Sequence, residues 1–435
     1  MPELSLDRAD ALQLWAVLGE EGKAPTEIGA ARTLIPAYSV GVDAWIDRLA
    51  TLYLQNLCRK YAHFKVVLAP YGGGKTHFLM ALGARALEEG FAVSYVPCGP
   101  GVSLGSPLDI YRIFAKHVQL PGDDAPGIRS LLRHVVNNKR RQIEEHLAPD
   151  PNGAFERWLQ QLKQAPHPEN AFGRVIVEAL REAWDPENAA SADAAIRWLQ
   201  GDVDTLTTGD LQELHLQRLS ARAQDELGRN LLLSVARFVQ QAGVHGIVLL
   251  FDEVETLFNQ RGKALLRVLS AMRVLIDLPN AVVGGVPMLG VFSAVPDVLQ
   301  ELGKYPALQQ RLAVLGASFD QGNDLATQLL LERMAKQEEL LGAIGKKLIN
   351  VGEIAISYKF DRSLQSKNAE SLARVAAELS LEVDARRLYV KAWVNLLNLQ
   401  RQDGERPFPD EELANRYRGY FDDIRSGEEE QENEP

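Results

Sequence analysis

The length, composition and charge of the chain exclude several classes of protein. Its 435 residues exceed the usual size of one domain, and 46% hydrophobic and 24% charged residues are typical of a globular protein. No uninterrupted apolar run reaches the roughly 18 residues that cross a bilayer, and the acidic N-terminus lacks the pattern of a signal peptide. A net charge of −11 argues against a monomer that coats nucleic acid nonspecifically, because such binding depends on neutralising phosphates.

The two cysteines predict a reducing compartment. Cys58 and Cys98 are too few for a disulfide framework, and neither has neighbours at metal-ligand spacing. We therefore expect two structural thiols in a cytoplasmic protein.

The first part of the chain has the pattern of an α/β unit. In chain order we expect a helix over 8–20, mostly loop over 20–41, a helix over 42–61, a strand over 64–69, a helix over 75–89 and a strand over 91–98. Strand, helix and strand in immediate succession favour a parallel sheet of the α/β class.

The rest of the chain is predicted to be mostly helical, with two more buried strands. Helices are expected over 105–241, broken by turn clusters rich in Pro, Asp, Asn and Gly. A strand over 246–251, a helix over 262–279 and a strand over 288–295 follow, and the chain is almost wholly helical from Asp324 onward. The acidic tail has no apolar residues and is expected to be disordered.

A glycine-rich turn between the first strand and its helix predicts a phosphate site. In "VVLAPYGGGKTHFL", Gly72, Gly73 and Gly74 allow backbone N–H groups to turn onto an anion, at the positive end of the following helix. Lys75 would contact the β- and γ-phosphates of ATP, and Thr76 would hold Mg²⁺. A solvated glycine turn is the alternative, but it would not require a buried strand before it and a helix after it.

The front edge of this turn departs from the P-loop pattern G-x-x-x-x-G-K-[ST]. Ala69 stands where the pattern has its first glycine, and Pro70 follows without an N–H to donate. The first position needs glycine mainly for its backbone conformation. We therefore expect Ala69 to weaken the front of the loop and to leave the cradle from Gly72 to Thr76 intact.

Two acids after the third predicted strand supply the partner that a P-loop needs. Asp252 would hold Mg²⁺ through water, and Glu253 would orient and deprotonate the attacking water, although the pair alone could be a helix N-cap. Glu255 either orients these groups or is a solvated helix residue. Ser293 ends the next strand and would lie between the P-loop and the acids, where it could contact the γ-phosphate or the water. A serine satisfied within the strand end is the alternative.

Two arginines are candidates for stabilising the transferring phosphoryl group. Arg311 follows the Ser293 strand by one helix, where a ring-forming ATPase presents an arginine to its neighbour's nucleotide. Arg386, for which Arg387 could substitute, lies in the helical C-terminal part and could fold over the phosphates. A solvated or surface-paired arginine is the alternative in both cases.

A long insertion separates the P-loop from the acidic strand. About 175 residues lie between Lys75 and Asp252, far more than one βαβ unit needs. The most basic stretch of the insertion could meet DNA phosphates through Arg129, Arg133, Lys139, Arg140 and Arg141. A solvated helix face is the alternative, and the tryptophans of the insertion are more typical of a core than of base stacking.

The order of these features resembles that of the AAA+ ATPases. "VDARR" is similar to the lid motif of the origin-recognition/Cdc6-like branch, and "SVGVD" is similar to its nucleotide-base segment, with Val42 in place of an arginine. Gly41 of this segment and His77 beside Thr76 join the expected nucleotide-binding residues. The predicted fold is therefore an α/β AAA+ P-loop NTPase core with a parallel sheet, a large helical insertion and a mostly helical C-terminal lid.

A narrower resemblance covers most of the chain. The segments "SPLDIYRIFAKHV", "WLQGD", "DEVETL" and "PALQQRL" are similar to those of the BrxD-type ATP-binding proteins of bacterial BREX phage-defence systems. "WLQGD" and "DEVETL" are the more specific, because AAA+ proteins in general lack them. The resemblance implies a prokaryotic ATPase that acts beside a methyltransferase, an alkaline-phosphatase-like protein and a larger ATPase.

These patterns divide the chain into six predicted segments. They are an N-terminal helical segment (1–37), the first part of the ATPase core (38–104), the helical insertion (105–240), the second part of the core (241–323), the lid (324–425) and the acidic tail (426–435).

Three functions fit these features. The first is an ATP-hydrolysing homo-oligomer that acts on DNA and on partner proteins. The second is a nucleotide-dependent switch or scaffold with little hydrolysis, and the third is a DNA-loading or target-selecting regulator of the transposition type. Glu253 and Arg311 favour the first over the second, whereas the acidic net charge and the modest basic stretch favour the second.

Overall fold

The fold is described from a computed structural model of the chain. It describes residues 6–23, 25–99, 102, 104–122, 125–146, 149–187, 190, 192–259, 262–277, 285–298, 305, 306, 308, 319, 323–333, 336–379 and 385–420. Arg311 and the acidic tail, on which two predictions rest, lie outside these residues.

A parallel sheet forms the centre of the fold, as the sequence predicts, and it has five strands where the sequence indicates four. Its strands are β1 (Ala62–Leu68), β2 (Ala92–Pro97), β3 (Ile247–Asp252), β4 (Met288–Ala294) and β5 (Gln328–Leu330). They lie in the order β2-β3-β4-β1-β5, and each neighbouring pair is parallel. Because the carboxyl ends of parallel strands meet at one edge, the glycine-rich turn, Asp252 and Ser293 come together there.

Alternate side chains of the central strands pack into two different cores. In β3, Ile247, Leu249 and Phe251 belong to one core, and Val248 and Leu250 belong to the other. All five are buried, as expected for a strand that is covered on both faces. The sheet therefore lies between two layers of helices.

Helices form the two outer layers. In chain order they are α1 (Arg8–Glu20), α2 (Ile28–Tyr38), α3 (Asp43–Leu49), α4 (Lys75–Glu88), α5 (Pro107–His117), α6 (Ile128–Glu145), α7 (Pro151–Gln164), α8 (Phe172–Trp184), α9 (Asp193–Leu199), α10 (Thr208–Glu213), α11 (Ala221–Gln241), α12 (Lys263–Asp277), α13 (Gln337–Ala355), α14 (Arg362–Leu379) and α15 (Ala385–Asp403). The buried hydrophobic residues of α5 to α9, α11 and α12 belong to one core, and those of α1 to α3, most of those of α4 and those of α13 to α15 belong to the other. The N-terminal and C-terminal helices thus share a layer, in which Nε1 of Trp15 donates to Oδ1 of Asn398 over 3.1 Å.

Turn-forming residues of the insertion cap the helices that follow them. The side chain of Asp150 accepts from the N–H of Gly153 over 2.9 Å, and Pro151 lies in the first turn of α7. Ser106 and Pro107 begin α5 in the same way. A side-chain cap satisfies one free N–H of the first turn, and proline has no N–H to leave unpaired.

The expectation of a loop over 20–41 is wrong, because this region contains α2. Ala31, Leu34 and Ile35 bury one face of a helix against the core, although Pro36 lies within that helix. Tertiary burial therefore outweighs the weak local propensity of this segment.

Two further expectations about elements need correction. The helix expected over 42–61 keeps α-helical hydrogen bonding only in α3, and a π-helical stretch (Ala50–Leu54) and a short 3-10 helix (Leu57–Arg59) follow it. β5 lies where only helix was expected. Three residues are too few to show a hydrophobic period, and their pairing with β1 decides their conformation.

Candidate nucleotide-binding site

The glycine-rich turn connects β1 to α4 and excludes side chains at its three glycines. Gly72 and Gly74 have φ angles of 64° and 86°, which other residues rarely adopt. A Cβ at Gly73 would lie 2.6 Å from the Cβ of Ala69, and a Cβ at Gly74 would lie 2.7 Å from Nη1 of Arg386. The turn therefore requires glycine at these positions, and a larger residue would change its shape.

Ala69 and Pro70 form an ordered front edge of this turn. Ala69 is buried, does not have a positive φ, and donates its N–H to the carbonyl of Ala294 over 3.3 Å. The carbonyl of Pro70 accepts from the N–H of Gly73 over 3.0 Å and closes the turn. The geometry thus gives no conformational reason for a weakened front edge, because position 69 does not require glycine.

The ammonium group of Lys75 lies inside the front of the turn. Its Nζ is 3.2 Å from the carbonyl oxygen of Ala69, 3.4 Å from that of Pro70 and 3.4 Å from Oε1 of Glu255. The side chains of Lys75 and Glu255 are 7% and 8% exposed, so this ion pair is buried. The interpretation of Glu255 as a solvated helix residue is therefore excluded.

The Asp252 carboxylate is the centre of a hydrogen-bond network at the ends of the strands. Oδ2 accepts from the hydroxyl of Thr76 over 2.6 Å and from that of Tyr95 over 2.8 Å. Oδ1 accepts from the hydroxyl of Ser293 and from the N–H of Glu253, the latter over 3.0 Å. The network connects the start of α4, β2, β3 and β4, and it holds the carboxylate in one orientation.

These oxygens fit a magnesium ion. Mg²⁺ in nucleotide sites is commonly held by one or two carboxylates together with phosphates and water. Thr76 and Asp252 supply an adjacent hydroxyl and carboxylate. Within the described ranges no cluster of three or more His, Cys, Asp or Glu could hold a metal by protein ligands alone. Such a site would therefore depend on the phosphates of a bound nucleotide.

Glu253 has an unusual backbone conformation beside this network. Its φ of 54° lies in the left-handed region, which costs a residue with a side chain of this size on the order of 1 kcal/mol or more. Its N–H is held by Oδ1 of Asp252 and by Oγ of Ser293, the latter at 3.2 Å. Partial desolvation and the nearby charges of Asp252 and Glu255 raise the pKa of the Glu253 carboxylate. The exposed carboxylate is thus held where a water could reach it.

Arg386 is brought from α15 to the glycine-rich turn. Its Nη1 donates to the carbonyl of Gly73 over 2.7 Å. Burial lowers the pKa of its guanidinium, and the charge of Glu332 opposes that effect. Arg387, the expected substitute, instead donates Nε to the carbonyl of Glu21 over 2.8 Å. Of the two arginines, Arg386 is the one beside the turn.

His77 of α4 contacts the end of α2 and the residue after it, two positions before Gly41. Nε2 of His77 lies 2.8 Å from Oγ of Ser39, and Nδ1 lies 3.3 Å from the hydroxyl of Tyr38. Burial and the charges of Arg386 and Lys347 lower the pKa of His77 to about 4, so its ring is neutral at pH 7. Gly41 has a φ of 80°. The two contacts of His77 thus connect α4 to the C-terminal end of α2.

Sequence reasoning missed Tyr95 and Lys347. Tyr95 lies in β2 and donates to Asp252, and its only signal in the sequence is a hydroxyl near the end of a buried strand. Lys347 lies in α13 and donates to the carbonyl of Ser39 over 2.6 Å. No local pattern marks this lysine, since its partner is about 300 residues away in the chain.

The five basic candidates of the insertion lie along α6, and three of them contact residues of other helices. Arg129 forms ion pairs with two acids. Arg140 donates to the carbonyl of Trp184, the last residue of α8, over 2.8 Å, and its guanidinium lies 4.7 Å from the indole centroid. Nζ of Lys139 lies 5.4 Å from the ring centroid of Trp158. These contacts stabilise the insertion and reduce the charge that is free for DNA.

Cys58 and Cys98 are both buried free thiols, as expected. Across the parts of the chain that the structure describes, no helix combines the length and the apolar character of a membrane span.

Comparisons with known proteins agree with the resemblance seen in the sequence. The model of the family described as BREX system ATP-binding protein BrxC/D matches residues 32–413, which include the glycine-rich turn, the acidic strand and Arg386. Comparisons with curated proteins and with solved structures gave no match. Since the family model covers most of the chain, the chain belongs to the family of BREX system ATP-binding proteins BrxC/D.

Proposed function

We propose that the chain is a Mg²⁺-dependent ATPase with an AAA+ core, which acts in the cytoplasm as part of a bacterial BREX-like anti-phage defence system. The observation that carries the proposal is the hydrogen bond from Thr76 to Asp252 over 2.6 Å. It joins the helix after the glycine-rich turn to the end of the acidic strand, as a Mg²⁺ site shared by the two requires. The family's description as ATP-binding supports ATP as the ligand.

The residues of the site have distinct roles in the proposed reaction. Backbone N–H groups of the turn and the ammonium of Lys75 bind the phosphates. Thr76 and Asp252 hold Mg²⁺, which neutralises phosphate charge when it is bound. Glu253 orients the attacking water and takes its proton, and the raised pKa of its carboxylate suits a general base.

Ser293 and Arg386 complete the proposed site. Ser293 is hydrogen-bonded to Asp252 and to the N–H of Glu253, so we assign it to holding the two acids in place. Arg386 lies against the carbonyl of Gly73, from where its charge can reach the phosphates.

The proposal extends to an assembly. We infer an ATP-dependent homo-oligomer in which Arg311 of one subunit stabilises phosphoryl transfer at the nucleotide of the next. This oligomeric state would be coupled to action on DNA and on other proteins of the defence system. The family's place in BREX systems supports a partnership with other defence proteins.

Replacement of Glu253 tests the catalytic proposal. Glu253→Gln is expected to bind ATP as the wild type does and to hydrolyse it at least about a hundredfold more slowly, because only the general base is removed. Steady-state turnover with Mg²⁺ measures the second effect, and equilibrium dialysis with ATP measures the first. A wild-type rate in this variant would show that Glu253 is not the base.

The same variant tests the assembly, because it keeps ATP bound. Light scattering should show a larger mass with ATP and Mg²⁺ than without them. A monomer under both conditions would contradict a role of Arg311 between subunits. A wild-type chain that binds ATP, responds to it in mass and does not turn it over would instead favour the nucleotide-dependent switch or scaffold.

A further inference from the structure

Glu255 is a buried acid at the edge of the proposed nucleotide site. It follows Glu253, whose positive φ turns the chain into a 3-10 helix (Val254–Asn259). This turn leaves Glu253 exposed and directs Glu255 toward the glycine-rich turn, where its side chain is 8% exposed.

The Glu255 carboxylate has a charged neighbour and lacks hydrogen-bond donors. Neither of its oxygens accepts a hydrogen bond from the residues that the structure describes. Nζ of Lys75 lies 3.4 Å from Oε1. A buried carboxylate is costly unless hydrogen bonds or an opposite charge compensate it. Lys75 is therefore the group that compensates Glu255.

Lys75 is surrounded by groups that attract its charge. They are the carbonyls of Ala69 and Pro70, the face of the Tyr71 ring with its centroid at 5.0 Å, and Glu255. Carbonyls and rings attract an ammonium through partial charges, whereas Glu255 carries a formal charge. A phosphate that binds Lys75 must therefore compete chiefly with Glu255.

We propose that Glu255 is a positioning residue that sets nucleotide affinity by competing with the phosphates for Lys75. The inference rests on the proposed function, since it requires Lys75 to contact nucleotide phosphates. Glu255 holds the ammonium at the front of the turn, so that a bound phosphate must share it. The result is weaker binding of nucleotide and faster release of ADP.

The Glu255→Gln variant tests this role, because it keeps the shape of the side chain and removes its charge. We expect it to bind the fluorescent analogue mant-ADP, with Mg²⁺, about threefold to tenfold more tightly, as for the loss of a competing ion pair. Glu353→Gln is the matched control: Glu353 is also buried, and its partners are Lys359 and Arg362. The control should leave mant-ADP affinity unchanged.

A double-mutant cycle with Lys75→Met separates positioning from a merely structural role. If Glu255 acts through Lys75, Glu255→Gln tightens binding only where Lys75 is present and leaves the Lys75→Met variant as weak as before. Tightening in both backgrounds would overturn the proposal, because Glu255 would then repel the phosphates directly. If Glu255→Gln does not fold, Glu255→Asp is expected to tighten binding in the same direction by a smaller factor.

The outcomes also separate this inference from the proposed function. If the wild type binds mant-ADP and neither Glu255 variant binds it more tightly, only the role of Glu255 is wrong. If the wild type does not bind mant-ADP at all, the proposed ATPase function is wrong, and the inference fails with it.

Discussion

Ala69 occupies the position at which a P-loop has its first glycine, and its methyl group is buried inside the turn. The Cβ of Ala69 already fills the space that a side chain at Gly73 would need, since the two would be 2.6 Å apart. The absence of a positive φ means that alanine costs no backbone strain there. At the scale of single residues, alanine in place of the first glycine therefore changes the packing inside the turn and leaves the backbone conformation unstrained.

Ala69→Gly is expected to leave the affinity for ATP unchanged and to lower the free energy of unfolding by about 1 kcal/mol. Glycine gives the unfolded chain more freedom, and the variant loses a buried methyl group. Urea unfolding and a mant-ATP titration measure the two effects. A clear gain in affinity would show that alanine limits binding at the front edge after all.

At the scale of helices, α13 holds the segment that connects α2 to the site. Nζ of Lys347 donates to the carbonyl of Ser39 over 2.6 Å and to that of Pro36 over 3.3 Å. These carbonyls lie at the C-terminal end of α2, where the helix dipole favours a cation. The hydroxyl of Ser39 in turn contacts His77 in α4. One lysine therefore connects a C-terminal helix, an N-terminal helix and the helix of the glycine-rich turn.

Lys347→Ala is expected to lower the free energy of unfolding by about 1 kcal/mol, because two carbonyls lose a charged donor. Lys346→Ala is the matched control, since Lys346 is the preceding residue of α13 and pairs with Glu370 at the exposed surface. Urea unfolding of both variants compares them directly. Equal stabilities of the two variants would contradict the connecting role of Lys347.

At the scale of the whole molecule, the surface of the insertion bears on whether an acidic chain binds DNA. Arg133 and Arg141 are exposed on α6 and donate to Ser130 and Asn138 of the same helix. Among the described residues neither is paired with a carboxylate. Arg140, in contrast, contacts another helix, because it donates to the carbonyl of Trp184 at the end of α8. Arg133 and Arg141 are therefore positions at which charge can be changed without breaking a contact between helices.

The pair of changes Arg133→Glu and Arg141→Glu tests DNA binding by the insertion. If the insertion contacts DNA, affinity for duplex DNA at low salt should fall about tenfold or more, and the salt dependence should become less steep. Arg222→Glu is the control, because Arg222 is an exposed arginine of α11 at 93% exposure. Equal affinity of all three chains in a fluorescence anisotropy titration would exclude this surface as a DNA site.

The parts of the site that could be predicted from the sequence lie in short local motifs. Gly72 to Gly74, Lys75 and Thr76 lie next to one another, and Asp252 follows an apolar strand, so local patterns identify them. Local patterns did not predict β5 and α2. β5 is short and α2 contains a proline, whereas a hydrophobic period is visible only in a longer or uninterrupted segment.

By itself, the sequence determined the α/β class, the four longer strands of the sheet, the glycine-rich turn and the acids at the end of β3. These depend on alternation, on helix periods and on glycine spacing, which are properties of short segments. Only the tertiary structure decided that Tyr95 holds Asp252, that Arg386 reaches the turn and that Glu255 is buried against Lys75. Each of these contacts joins residues far apart in the chain, so no local pattern could contain it.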